Sequence, residues 1–220
     1  MKHFSQLSTV LLFSVLFIYA CKKEVNRDYS IQGKMENWTL AGNKVMKLCY
    51  FNDTMQMTSP PFTSFGVSSI DTNGSFNLTS FAIPSNNLRI PLDSIFGTTI
   101  VLSDPSAKAT RAILLVFSGN SDYPSGSAVY GNVTNYITSG SYYECYIFVD
   151  KSVSITGTGI RTYGDGMIMD TENYSCNLNL KQGWNKYIQK VVSVGLYTEF
   201  FEISNDQFPD TKWEYQNIEK

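Results

Sequence analysis

Histidine is almost absent from this 220-residue chain: the single copy, His3, sits just ahead of an apolar run at the N-terminus. The remainder therefore lacks an imidazole, which excludes Ser-His-Asp and Cys-His catalysis and His-ligated zinc. A basic excess is missing too. Lys and Arg number 17 against 19 Asp and Glu, or 16 against 19 without Lys2, so nucleic acid is not an expected partner. None of the 4 cysteines forms a Cys-x-x-Cys pair. No amphipathic stretch of about fifteen residues exists, so neither an interfacial helix nor a βαβ phosphate-binding unit is expected. No repeat or low-complexity linker is visible. The chain is ample for a sizeable core.

What is present begins with an address. Ser8 to Ala20 is almost entirely apolar, including Val10, Leu11, Leu12, Phe13, Val15, Leu16, Phe17 and Ile18. The run is too short to span a bilayer stably and fits the apolar region of a secretion signal. It ends Ile18-Tyr19-Ala20-Cys21, which resembles the lipobox of bacterial lipoproteins, with Tyr19 bulkier than the residue usual at its position. The resemblance implies that residues 1–20 form a cleaved signal helix and that Cys21 is lipidated and becomes the new N-terminus. Acyl chains contribute about 0.8 kcal/mol per buried methylene, so two or three hold a protein firmly on a membrane.

Residues 21–28 then form a charged tether. No aspartate directly follows Cys21, the next residue being Lys22, which resembles lipoproteins sent on to the outer membrane. Lys23-Glu24 resembles part of the export signal of Bacteroidetes surface lipoproteins, with Val25 where a second acid is usual. A lipid-anchored protein on the cell surface is expected, and a periplasmic face is the alternative.

Residues 29–220 read as an all-β domain, with a sub-boundary to be sought near 104–110. Apolar residues alternate: Asn173–Leu180 puts Cys176, Leu178 and Leu180 on one face and Ser175, Asn177 and Asn179 on the other. Similar patterns cover Tyr29–Lys34, Lys44–Asn52, Ser64–Ile70, Ser75–Phe81, Thr98–Ser103, Arg111–Ser118, Ser141–Val149, Tyr187–Val194 and Leu196–Ile203, with weaker ones at Ser127–Val133 and Lys212–Tyr215. Roughly eleven short strands with turn signals between them predict an antiparallel β-sandwich. Asn73-Gly74 suits a hairpin turn, Gly157–Gly166 reads as a glycine-rich loop, and Pro91–Gly97 predicts one or two helical turns.

Ile31-Gln32-Gly33-Lys34, Val45–Phe51 and the run Asp71-x-x-Gly74-x-Phe76-x-Leu78 resemble the opening of transthyretin-like modules of the carboxypeptidase regulatory type, over residues 29–80. Val149-Asp150-Lys151 with the later Lys181-Gln182-Gly183-Trp184-Asn185 is similar to Bacteroidetes lipoproteins of this size. Both resemblances imply fold and location, and neither implies a reaction.

Candidate sites are few. Cys49, Cys145 and Cys176 are odd in number and read as buried thiols; Cys145 and Cys176 lie on apolar faces and could pair if their strands are neighbours. Asp165, Asp170, Glu172, Asp206 and Asp210 read as solvated turn acids in preference to a calcium site or a glycosidase pair. Trp38, Trp184 and Trp213 stand near loops or strand ends, where an exposed ring could stack on a sugar or anchor a protein, and core packing competes with that role. Trp184 leads this group. The expectation is a non-enzymatic, lipid-anchored envelope module without cofactor or metal, with a glycan or an envelope protein as partner. The alternatives are a subunit of a polysaccharide-capture or fimbria-like assembly and a carboxylate-based glycosidase.

Overall fold

The structure, a computed structural model, describes residues 29–51, 62–133, 138–164, 169–208 and 211–217. Residues 1–20, Cys21, the tether 21–28, Asp165 and Asp210 lie outside the described residues. The fold is all-β. Its strands are β1 (Ile31–Lys34), β2 (Lys44–Tyr50), β3 (Ser64–Ile70), β4 (Ser75–Leu78), β5 (Ile90–Pro91), β6 (Val101–Leu102), β7 (Lys108–Ser118), β8 (Pro124–Gly131), β9 (Tyr142–Val149), β10 (Val153–Gly164), β11 (Met169–Leu180), β12 (Gly183–Val194), β13 (Thr198–Ser204) and β14 (Lys212–Asn217). A 3-10 turn, Asn86–Leu88, and an α-helical turn, Asp93–Phe96, interrupt them. Among the described residues no helix is long and apolar enough to cross a membrane.

Fourteen strands form one hydrogen-bonded network, where the sequence predicts about eleven. The excess comes partly from β5 and β6, two-residue strands too short to leave an alternation. Pairing between the named strands is antiparallel except between β11 and β13, which run parallel with Thr171 opposite Thr198 and Asn177 opposite Ser204. The purely antiparallel expectation fails there because β13 inserts between β12 and β11, strands joined by only two residues.

The Asp71–Ser75 turn shows how local chemistry sets register. Asp71 Oδ1 accepts from the backbone N–H groups of Asn73 and Ser75, each at 2.8 Å. Gly74 takes φ +84, a left-handed value cheap for glycine. The turn aligns Ile70 with Phe76, and both enter the core.

The glycines of β10 read as a loop from sequence, yet Val153–Gly164 is continuous strand, paired residue by residue with β11. Gly159 is required by packing: a Cβ there would meet the carbonyl of Phe96, at the end of the helical turn. The close approach of two backbones explains this glycine, and no turn is needed.

Two apolar cores lie on opposite faces of β9 and β12. Tyr146, Phe148 and Trp184 face the first, with Ile31, Met46, Leu48, Phe65, Phe76, Leu114 and Trp213. Ile147, Val149, Tyr187 and Val191 face the second, with Leu92, Phe96, Ile155, Tyr174, Leu178 and Ile203. Strands buried on both sides lose the wet face that a simple alternation implies. Around the first core the pairings form a circuit, β1-β4-β3-β2-β7-β8-β14. It is closed by a bridge between Met35 and Trp213, where Glu36 N donates to Trp213 O at 3.0 Å. Near residues 104–110, β7 begins at Lys108 and passes from the second core at Ala109 to the first at Ala112.

Candidate functional site

The candidate site is an opening where β7 forks. On one edge, Ala109–Ala112 pair with β9 and Leu115–Phe117 pair with β8. Beyond Ser127, β8 turns to β14 and meets β9 again only at Gly131 opposite Tyr143. The gap between the two branches is a cavity of about 270 Å³. Its wall combines Arg111 and Ile113 from β7, Val129 from β8, Tyr143 and Cys145 from β9, Arg161 from β10, Glu172 and Tyr174 from β11, Tyr187 and Gln189 from β12, and Gln216 from β14.

The polar end is built from a cross-strand pair. Arg161 and Glu172 are direct register partners on β10 and β11. Arg161 Nε donates to Glu172 Oε2 at 2.8 Å, and Arg161 Nη2 and the Tyr174 hydroxyl donate to the same oxygen. Oε1 is left without a donor among the described residues. The two side chains are 16% and 12% exposed, so water screens the pair little. Its geometry is rigid, because each partner sits on a long strand. Along β11, Tyr174 follows Glu172 by two residues, the spacing that keeps side chains on one face. Tyr174 also stacks on Phe201 with centroids 5.5 Å apart.

The middle of the cavity holds groups kept neutral by burial. Burial pushes the Tyr143 and Tyr187 hydroxyls well above the ordinary phenol range. Burial likewise pushes the Cys145 thiol up to about 12, against the pull of the Arg111 charge. Arg111 is engaged, with its guanidinium centred 4.8 Å from the Phe51 ring. Gln189 is only 9% exposed, yet its amide meets nothing stronger than the Cys145 thiol, which lies 4.0 Å from Oε1. Tyr143, half-buried, lines the same cavity.

The three tryptophans lie elsewhere. Trp184 is 7% exposed, packs against Phe65, Phe81 and Phe148, and donates its indole N–H to Ala82 O at 3.1 Å. Both ring and N–H are thus occupied by the protein itself. Trp213, also 7% exposed, lies edge-on to Phe76 and against Tyr130. A Cβ on Gly33 would collide with its indole, so glycine on β1 makes room for the closing strand. It borders a separate groove of about 240 Å³ with Glu144 and Lys186, which pair at 2.8 Å. Trp38 is half-buried, edge-on to Tyr215, with its indole N–H buried and unpartnered among the described residues. None of the three lines the main cavity.

No family model, curated protein or solved structure matches the chain significantly. Chemistry at this site rests on its own geometry.

The other candidates separate likewise. Cys49, Cys145 and Cys176 are free thiols, and β12 and β13 stand between the strands of Cys145 and Cys176. Asp170 precedes Glu172 on β11, while Asp206 borders a different groove. Among the described residues no group of three or more His, Cys, Asp or Glu converges to hold a metal. Sequence reasoning missed Tyr143, Arg161, Tyr174 and Gln189. One signal was available for Gln189: it shares the period-two face of Tyr187 and Val191, a polar residue on an apolar face.

Proposed function

We propose that the chain is a non-enzymatic, lipid-anchored protein of the cell envelope whose all-β body is a binding module, with its ligand seated in the cavity at the β7 fork. The observation that carries this reading is Gln189: its side chain is only 9% exposed, lines the cavity and meets only the Cys145 thiol among the described residues, which leaves its amide to face whatever fills the cavity. Glu172 is the only acid among the described residues of the cavity wall and is engaged by Arg161, which supports binding over hydrolysis by a carboxylate pair. Two cores on opposite faces of β9 and β12 support a layered, sandwich-like reading of the body. The Ile18–Cys21 lipobox and the lack of an aspartate directly after Cys21 support anchorage at Cys21 in the outer membrane, facing the surface.

Two experiments test this. Cys21→Ala abolishes labelling by a palmitate analogue and leaves the precursor uncleaved; unchanged labelling overturns the anchor. Gln189→Leu leaves the melting temperature of the ligand-free protein unchanged or raises it by a few degrees, following the 2–4 °C per kcal/mol expected at this size. A clear fall shows that the amide is structural and overturns the cavity reading.

A second reading, a subunit of a surface assembly, draws on the apolar tip of the β12–β13 hairpin. Val194, Leu196, Tyr197 and Phe200 are exposed there, Leu196 by 84%. Leu196→Lys separates the two: it disrupts an assembly and leaves cavity binding intact.

A further inference from the structure

We propose that the cavity takes a single neutral saccharide ring, with a methyl-bearing sugar preferred over a bare hexose. This rests on the binding-module reading above and names its ligand class. Size sets the first limit. At about 270 Å³ the space lies just below the range of roughly 300–1,000 Å³ that holds drug-sized ligands, so one ring fits and an oligomer does not.

The second limit is the balance of donors and acceptors. The Gln189 amide and the Tyr143 hydroxyl can each donate and accept, while Glu172 Oε1 can only accept. A ligand hydroxyl does both, so a polyhydroxylated ring can satisfy all three. A carboxylate brings only acceptors to Glu172 Oε1, and the negative charge of a carboxylate or a phosphate is repelled by Glu172. The cationic groups do not reverse this preference. Arg161 is committed to Glu172, and Arg111 is engaged against Phe51.

The third limit is the apolar side of the wall. The Phe51 and Tyr187 rings and the Ile113, Val129 and Val133 side chains line the cavity with the polar groups. Aromatic surface suits the C–H face of a pyranose. Branched aliphatic surface adds a place for a methyl group, as carried by a 6-deoxyhexose or an N-acetylhexosamine, each buried methyl contributing favourably.

The test uses the full chain in a sugar-free detergent and saturation-transfer difference NMR. The probes are methyl α-L-fucoside, methyl N-acetyl-β-D-glucosaminide, methyl β-D-glucoside, benzoate and inorganic phosphate (the last read by phosphorus line-broadening). Saturation is expected to reach the two methyl-bearing glycosides more strongly than the glucoside. Gln189→Leu and Tyr143→Phe, each confirmed as folded by its melting curve, weaken that binding about tenfold or more, the loss of one buried hydrogen bond. The exposed-site variant Val101→Ser leaves it unchanged. Binding of benzoate or phosphate alone, binding of no glycoside, or glycoside binding indifferent to Gln189→Leu each overturns the proposal. If Gln189→Leu is stabilising while no glycoside binds, the ligand class fails and the cavity reading stands; if it destabilises the empty protein, the cavity reading itself fails.

Discussion

Replacing Trp184 distinguishes a core residue from a ligand platform without any ligand in the tube. The indole is 7% exposed, touches three aromatic rings of the first core and spends its N–H on Ala82 O. Trp184→Ala removes those contacts and leaves a void that three rings on different strands cannot easily close, for a cost of about 3–5 kcal/mol. That is a large share of the roughly 5–15 kcal/mol that holds a typical domain. At about 2–4 °C per kcal/mol, the melting temperature falls by roughly 6–20 °C. Trp184→Phe separates the two contributions: it keeps most of the apolar contact but orphans the Ala82 carbonyl, costing about 1–3 kcal/mol. Urea unfolding followed by near-ultraviolet circular dichroism reads both, with Tyr123→Ala, at a site 61% exposed, as a control within about 0.5 kcal/mol of the parent. A fall of less than about 3 °C for Trp184→Ala would show that the ring is not packed as described and would return it to the ligand candidates.

Three further outcomes are expected. Gly159→Ala forces a methyl group into the Phe96 carbonyl and destabilises the protein by at least about 2 kcal/mol in urea melts; a neutral result would refute the close approach. Burial holds the Cys49, Cys145 and Cys176 thiols at about 12, so peptide mapping after iodoacetamide at about pH 8 finds all three unmodified in the native protein and alkylated in urea; native alkylation of any one contradicts its burial. Burial, aided by the charges of Glu172 and Asp170, raises the Glu199 carboxyl above its ordinary range. Folding therefore gains from Glu199 below its unfolded pKa and loses that gain as pH rises through the raised native value. Glu199→Gln should accordingly stabilise the protein more at about pH 8 than at about pH 4, and equal urea midpoints relative to the parent at both would refute it.

Much of the strand pattern was legible, and the failures have physical causes. Asn173–Leu180 is found as strand because Cys176, Leu178 and Leu180 enter the core while Ser175, Asn177 and Asn179 stay wet. β10 was hidden because glycine serves two purposes: Gly157, at φ +93, reports conformation, while Gly159 reports a neighbour's backbone. Only the first is a local property that a sequence displays. Trp184 and Trp213 look like surface anchors from their flanking loop residues, but strands distant in sequence cover them. The cavity was beyond reach for a similar reason. Its wall draws on seven strands, and its position depends on where β8 departs from β7, which no single stretch encodes.

The circuit around the first core carries a consequence for how the chain reaches its native state. Its last stave, β14, comes from the C-terminus, and Asn37 holds Tyr215 through a reciprocal pair of hydrogen bonds at 2.7 and 2.8 Å. A chain emerging N-terminus first must therefore keep the apolar sides of β1–β4 waiting until nearly all its residues have arrived. Such delayed closure lengthens the interval in which sticky surface is open and slows folding. It also means that shortening the chain from its C-terminus before Lys212 trims no tail: it opens the wall that β14 closes against Met35.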